Sequence, residues 1–67
     1  MSVARVTEIS ATSEQSFEDA IRQGIERATS TLRGVTSAWI KEQEVRIRDG
    51  KATEYKVNML ITFVLEE

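Results

Sequence analysis

Cysteine and histidine are both missing from this 67-residue chain. Without cysteine there is no disulfide and no thiolate ligand, and without histidine the usual zinc sites are closed as well. The same absences remove the thiol nucleophile, the neutral-pH proton shuttle and any Ser–His or Cys–His pair, so an independent hydrolase or redox enzyme is not expected. An excess of positive charge is missing too. The 9 Lys and Arg are outnumbered by 11 Asp and Glu, for a formal charge of −2, and the cations are spread along the chain rather than gathered into a patch that would neutralise phosphates. Nucleic acid is therefore not an expected partner. No apolar run approaches the ~20 residues needed to span a bilayer, and "MSVARVTEIS" lacks the apolar core of a signal peptide. The expectation is a cytoplasmic protein with no membrane partner.

What remains is regular. Hydrophobic residues make up 40% of the chain, without low complexity, internal repeat or linker, so a single domain over 1–67 is expected. A core of this size supplies only roughly 3–5 kcal/mol, so with no disulfide available a further staple or a partner chain is expected.

"VARVTEIS" (Val3 to Ser10) alternates small or apolar with polar residues and reads as a strand, followed by the capping and turn residues of "SATSEQS". A helix over about 14–33 follows. Ser13 or Ser16 can accept from its unpaired first-turn amides, and Glu14, Glu18 and Asp19 place negative charge at its positive end. Phe17, Ala20, Ile21, Gly24, Ile25, Ala28, Thr31 and Leu32 form one stripe at helical spacing, and Arg33-Gly34 makes a stop. Gly24 within the stripe suggests close approach of helix and sheet, at up to ~1 kcal/mol relative to alanine.

Segments 37–48 and 51–66 are strand-like, and the Asp49-Gly50 between them signals a two-residue hairpin turn. In that register opposed residues sum to 99. One face then carries Tyr55, Val57, Met59, Ile61, Phe63 and Leu65 with Ala38 and Ile40, and should receive the helix. The other carries Ser37, Trp39, Lys41 and Gln43 opposite Lys56, Asn58, Leu60 and Thr62. The expected fold is α+β, β-α-β-β, with a three-stranded antiparallel sheet in the order 1-3-2 wrapped on one helix. A 12-residue strand spans about 40 Å and an 18-residue helix about 27 Å, so the turn end of the hairpin should project beyond the helix. A projecting ribbon and an uncovered face bearing Trp39 imply self-association.

With these features in place, the β-α-β-β order, "ATSEQSFEDAIRQGIERATSTLRGV", the "DG" turn and the ending "EYKVNMLITFVLEE" resemble the dodecins across nearly the whole chain. The resemblance implies a hollow homododecameric shell, in which many members hold paired flavins between subunits for storage or quenching rather than turnover. In flavin-binding members a tryptophan shortly after the helix stacks on the isoalloxazine, and a glutamine on the last strand bonds its polar edge. Gap-free counting places these at Ser37 and Lys56, so both signature residues are replaced.

Trp39 is the next residue on the same face. It serves either as a displaced stacking platform for FMN or riboflavin, with Lys56 and Asn58 near the ligand's polar edge, or as an anchor across a subunit interface, which is the preferred reading. "AWIKEQEVRI" is closer to a tryptophan-lacking, calcium-associated branch of the dodecins. Glu42, Glu44 and Asp49, with Glu54 nearby, are the candidate ligands for such an ion. The plainer reading of these carboxylates is solvated strand ends paired with Arg46, Arg48 or Lys51.

Overall fold

The computed structural model describes residues 2–65 and has the element order β1 (Ala4–Ser13), α1 (Phe17–Thr31), β2 (Val35–Arg48), β3 (Lys51–Val64). β3 lies in the centre of one sheet, antiparallel to both neighbours, in the order β1-β3-β2. This is the architecture expected from the hydrophobic patterns. The final residues of the C-terminal strand expected to 66 fall partly outside the described residues.

β1 runs to Ser13, past the expected end at Ser10, because its alternation continues: Ile9, Ala11 and Ser13 pair with Met59, Val57 and Tyr55. Both candidate capping serines are used, for different jobs. Ser16 is the N-cap and accepts from the Asp19 amide at 2.9 Å. Ser13 is buried and organises the turn, accepting from the amides of Gln15 (2.9 Å) and Ser16 (3.4 Å) while its hydroxyl donates to Asp19 Oδ2 at 2.7 Å. Asp19 also accepts from Gln23 Nε2 and lies 3.7 Å from the Arg22 guanidinium.

The helix is shorter than expected at both ends. Its last turn contains Thr29, Ser30 and Thr31, whose hydroxyls donate to the carbonyls of Glu26, Arg27 and Ala28. Such bonds compete with the helix, and Leu32 leaves it with an extended backbone (φ −111°, ψ 141°) while its amide still reaches Ala28 O at 2.9 Å. Arg33 therefore lies outside the last turn. Gly34 makes the reversal into β2 at φ 74°.

The core is Ala20 and Ala28 from the helix against Val57, Met59 and Ile61 of β3, all three of the latter fully buried. Burying each such side chain contributes about 1.5–3 kcal/mol. Small residues on the helix let it sit close to the sheet, and a Cβ added at Gly24 would lie 2.7 Å from Met59 Cε and 3.3 Å from Ala11 Cβ. Phe17 closes one end of the core with its ring edge-on to Tyr55, centroids 5.1 Å apart.

The uniform hairpin register needs correction. Opposed residues sum to 99 for Ser37 through Ile40 and again for Ile47 and Arg48, but to 100 between Glu42 and Arg46. Lys41 is an extra residue on β2 and Thr53 an extra residue on β3, and the two bulges cancel. An odd insertion flips the alternation beyond it, so Gln43, expected on the outer face, opposes Val57 on the helix side. Glu42 and Glu44 take the outer positions.

Two expected outcomes follow from this packing. At Gly34 an added Cβ would lie 2.7 Å from the carbonyl oxygen of Val64, whereas at Gly50, also at φ 74°, it would meet nothing within 4 Å. Gly34→Ala should cost about 2 kcal/mol and Gly50→Ala only about 1 kcal/mol in urea denaturation; equal losses would mean the Val64 contact is unimportant. The second outcome concerns Asp19, whose carboxyl is held below the ordinary carboxylate range by the Ser13 hydroxyl, then the Gln23 amide, with burial opposing and Arg22 assisting. A carboxylate depressed in the folded state stabilises above its unfolded pKa, and that contribution is lost as pH falls through the folded value. The difference in melting temperature between the wild type and Asp19→Asn should be full at pH 7 and shrink below about pH 4; a difference that grows on acidification would contradict this assignment.

Candidate functional site

Every chemistry-bearing residue singled out from the sequence, apart from Asp49, lies on the face of the sheet turned away from α1. The register places its side chains in rows across the three strands. Val6, Thr62 and Ser37 form one row, and Glu8, Leu60 and Trp39 the next. Beyond them come Ser10, Asn58 and Glu42, then Thr12, Lys56 and Glu44. Arg46 and Glu54 complete the face toward the turn.

Trp39 is 69% exposed. Its neighbours in the row are the partly buried Leu60 and, at the far strand, Glu8. Val6, 54% exposed, extends the apolar ground diagonally. An indole left this open on the uncovered sheet face is available either to stack on a planar ligand or to be covered by another chain.

The bulge at Lys41 determines the polar half of the face. The Lys41 side chain spans the sheet so that Nζ is 3.4 Å from both carboxylate oxygens of Glu8. Both partners are about half exposed, and such a pair contributes at most about 1 kcal/mol while fixing where the lysine lies. Past the bulge, Asn58 Nδ2 donates to Glu42 Oε1 at 3.1 Å, Lys56 opposes Glu44, and Arg46 Nε lies 3.6 Å from Glu54 Oε1. A shallow depression of about 190 Å³ is lined by Glu42, Gln43, Glu44, Lys56 and Asn58. It offers carboxylate acceptors, an ammonium and an amide, next along the strand to the exposed indole.

The sequence-derived candidates are thus distributed as follows. Ser37, Trp39, Lys56 and Asn58 share the outer face, with Ser37 and Trp39 on β2 and Lys56 and Asn58 on β3. Glu42 and Glu44 join them because of the bulge. Asp49 sits in the turn at φ 54°, five residues beyond Glu44, or about 16 Å along an extended strand. Among the described residues no three acidic side chains are grouped closely enough to hold a metal ion, and Glu42, Glu44 and Asp49 are not gathered into one cluster within the chain. Sequence reasoning missed Glu8 and Val6. The alternation of β1 carried the signal, but which face Glu8 would share with Trp39 depends on the β1–β3 register, which no turn specifies.

Fold and face together define a class: a small α+β protein in which one helix lies along a three-stranded antiparallel sheet whose other face is left open. Within that class the Dodecin family model matches residues 3–66, and the chain belongs to the dodecin family. A dodecin from Streptomyces davaonensis is 35% identical, with a TM-score of 0.91 over 98% of this chain and 97% of its own. An arginine-to-alanine mutant of the Thermus thermophilus dodecin is 34% identical, with a TM-score of 0.92 over the full length of both chains. The calcium dodecin of Mycobacterium tuberculosis, described as having a novel calcium-binding site, shares the fold at a TM-score of 0.82 and 23% identity, over 96% of this chain and 91% of its own. None of the curated proteins matches the chain.

Proposed function

We propose that the protein is a non-catalytic, self-assembling dodecin of the cytoplasm. Its twelve copies enclose a hollow shell and hold a small planar ligand of the flavin type for storage or sequestration. The observation that carries the assembly is surface area. The chain exposes 5222 Å², whereas a compact monomer of 7.6 kDa exposes about 4,300 Å². Its radius of gyration of 13.9 Å likewise exceeds the roughly 11 Å of a compact 67-residue domain. The excess of about 900 Å² is close to what one partner contributes to a standard interface, about 800 Å².

In the ligand reading, Trp39 supplies the stacking surface, Ser37 leaves room beside it, and Lys56 and Asn58 donate to carbonyl or phosphate oxygens. No covalent step is required of any residue, in keeping with the lack of cysteine and histidine in the sequence.

A second reading is favoured by Ser37 and Lys56, which stand where flavin-binding dodecins have tryptophan and glutamine. Here the shell is flavin-free, with a role in assembly, another cargo or calcium binding. Glu42, Glu44 and Asp49 would then have to be completed by carboxylates from neighbouring copies.

Titration of riboflavin or FMN with the assembled protein separates the two. The flavin reading predicts quenching of ligand fluorescence, with the affinity weakened roughly two- to thirteenfold in Trp39→Ala, as expected for loss of a stacking contact of about 0.5–1.5 kcal/mol. Unchanged flavin fluorescence at high protein concentration, together with calcium heat that disappears in Glu42→Gln, would establish the second reading instead.

A further inference from the structure

The cations in the middle of the outer face are already met by carboxylates. Lys41 is held by Glu8, Arg46 lies against Glu54, and Lys56 opposes Glu44. Glu42 stands apart. Among the described residues it has no cation within ion-pair distance, and its hydrogen bond is the one that Asn58 Nδ2 donates to Oε1 at 3.1 Å. That bond orients the carboxylate. It leaves Oε2 and the second lone pair of Oε1 unused on an exposed side chain.

The position of Glu42 relative to the indole is set by β3. Glu42 pairs with Asn58 and Trp39 with Leu60, so the carboxylate lies one row, or about 7 Å, from the stacking surface. A fused two-ring heterocycle bridges that distance. Lys56 is a further row away, and the ammonium of Lys41 is drawn across the sheet to Glu8 on β1. A ring stacked on Trp39 and reaching toward the hairpin therefore meets, as its first uncommitted polar group, an acceptor that cannot donate.

A carboxylate is matched by two parallel N–H groups, the pattern it accepts from a guanidinium. On a planar heterocycle that pattern is an amino group beside a ring N–H, as in a 2-amino-4-oxopteridine or a guanine. The imide edge of an isoalloxazine instead presents carbonyl, N–H and carbonyl, and one of its oxygens would be set against the Glu42 carboxylate without a proton between them. We propose that the outer face selects planar heterocycles whose edge offers paired N–H donors. Glu42 determines the specificity, Trp39 supplies the stacking surface, and Asn58 positions the carboxylate. This rests on the planar-ligand reading above and narrows it from flavin-type rings in general to pteridine or purine rings with this edge.

Ligands that differ only at the edge provide the test. Lumazine is pterin with the 2-amino group replaced by a carbonyl, and inosine is guanosine without its 2-amino group. Binding is followed by calorimetry and by the fluorescence of Trp39, which is free of background because the chain has no other tryptophan. Pterin should bind roughly tenfold or more tighter than lumazine, or guanosine than inosine, as expected for a hydrogen bond to a charged acceptor; the pair that shows the preference identifies the ring. Glu42→Gln keeps the reach of the side chain and its ability to accept from Asn58, so it should abolish the preference with the circular dichroism unchanged. Equal affinities within both pairs, tighter binding of lumazine, or a preference that survives Glu42→Gln would overturn the role of Glu42 and leave the planar-ligand reading standing. No heat and no change in Trp39 fluorescence with any of these compounds or with riboflavin would overturn both.

Discussion

The structure depends on a mismatch of lengths. A 15-residue helix covers about 22 Å, whereas each 14-residue strand of the hairpin extends about 46 Å, in a chain with a longest dimension of 52 Å. Core formation is therefore confined to the stretch of β3 from Tyr55 to Phe63, where Val57, Met59 and Ile61 meet Ala20, Gly24 and Ala28. Everything beyond that stretch is sheet without a cover. Since a three-stranded sheet with one helix is near the lower limit for independent stability, the uncovered part cannot be regarded as surplus. Its apolar residues point where a core would be.

The two bulges convert this scaffold into a functional surface. Had the hairpin kept one register throughout, Lys41 and Gln43 would flank Asn58 and Lys56, and Glu42 and Glu44 would lie beneath the overhang. With Lys41 inserted, its ammonium swings across the sheet to Glu8, Gln43 turns to the helix side, and the two glutamates come up beside Asn58 and Lys56. The compensating bulge at Thr53 restores the pairing at Ile47 and Arg48, so the Asp49-Gly50 turn closes in its ordinary two-residue form. The polar half of the outer face is in this way separated from the turn geometry that a sequence shows most plainly.

Much of the fold was legible in the residues. The alternation of Tyr55 to Phe63, the helical stripe from Phe17 to Ala28 and the Asp49-Gly50 signal are each local patterns with one physical solution, and together they imply the order β1-β3-β2. The face of Trp39 was legible for the same reason, since no bulge lies between it and Ser37. The positions of Glu42, Gln43 and Glu44 were not, because a bulge leaves no compositional mark at Lys41: its cause is the fit of two strands to each other. The early end of the helix was hidden in a similar way. Thr29, Ser30 and Thr31 are tolerable helix residues one by one, and only their joint back-bonding to the last turn, with Leu32 drawn toward the core, ends the helix before Arg33. Leu60 opposite Trp39 followed from the turn, whereas its neighbours on the far strand, Glu8 and Val6, waited on the register of β1, which pairs with β3 without a connecting turn to set it.

Sedimentation equilibrium combined with circular dichroism over a falling concentration series tests most directly whether this chain requires its own copies. A short helix, a half-covered hairpin and a surface excess near one partner's share of an interface predict a mass that is a multiple of 7.6 kDa, with secondary structure lost in step with dissociation as the chain is diluted. A species of 7.6 kDa that keeps its full helix and sheet signal and unfolds cooperatively on its own would contradict it.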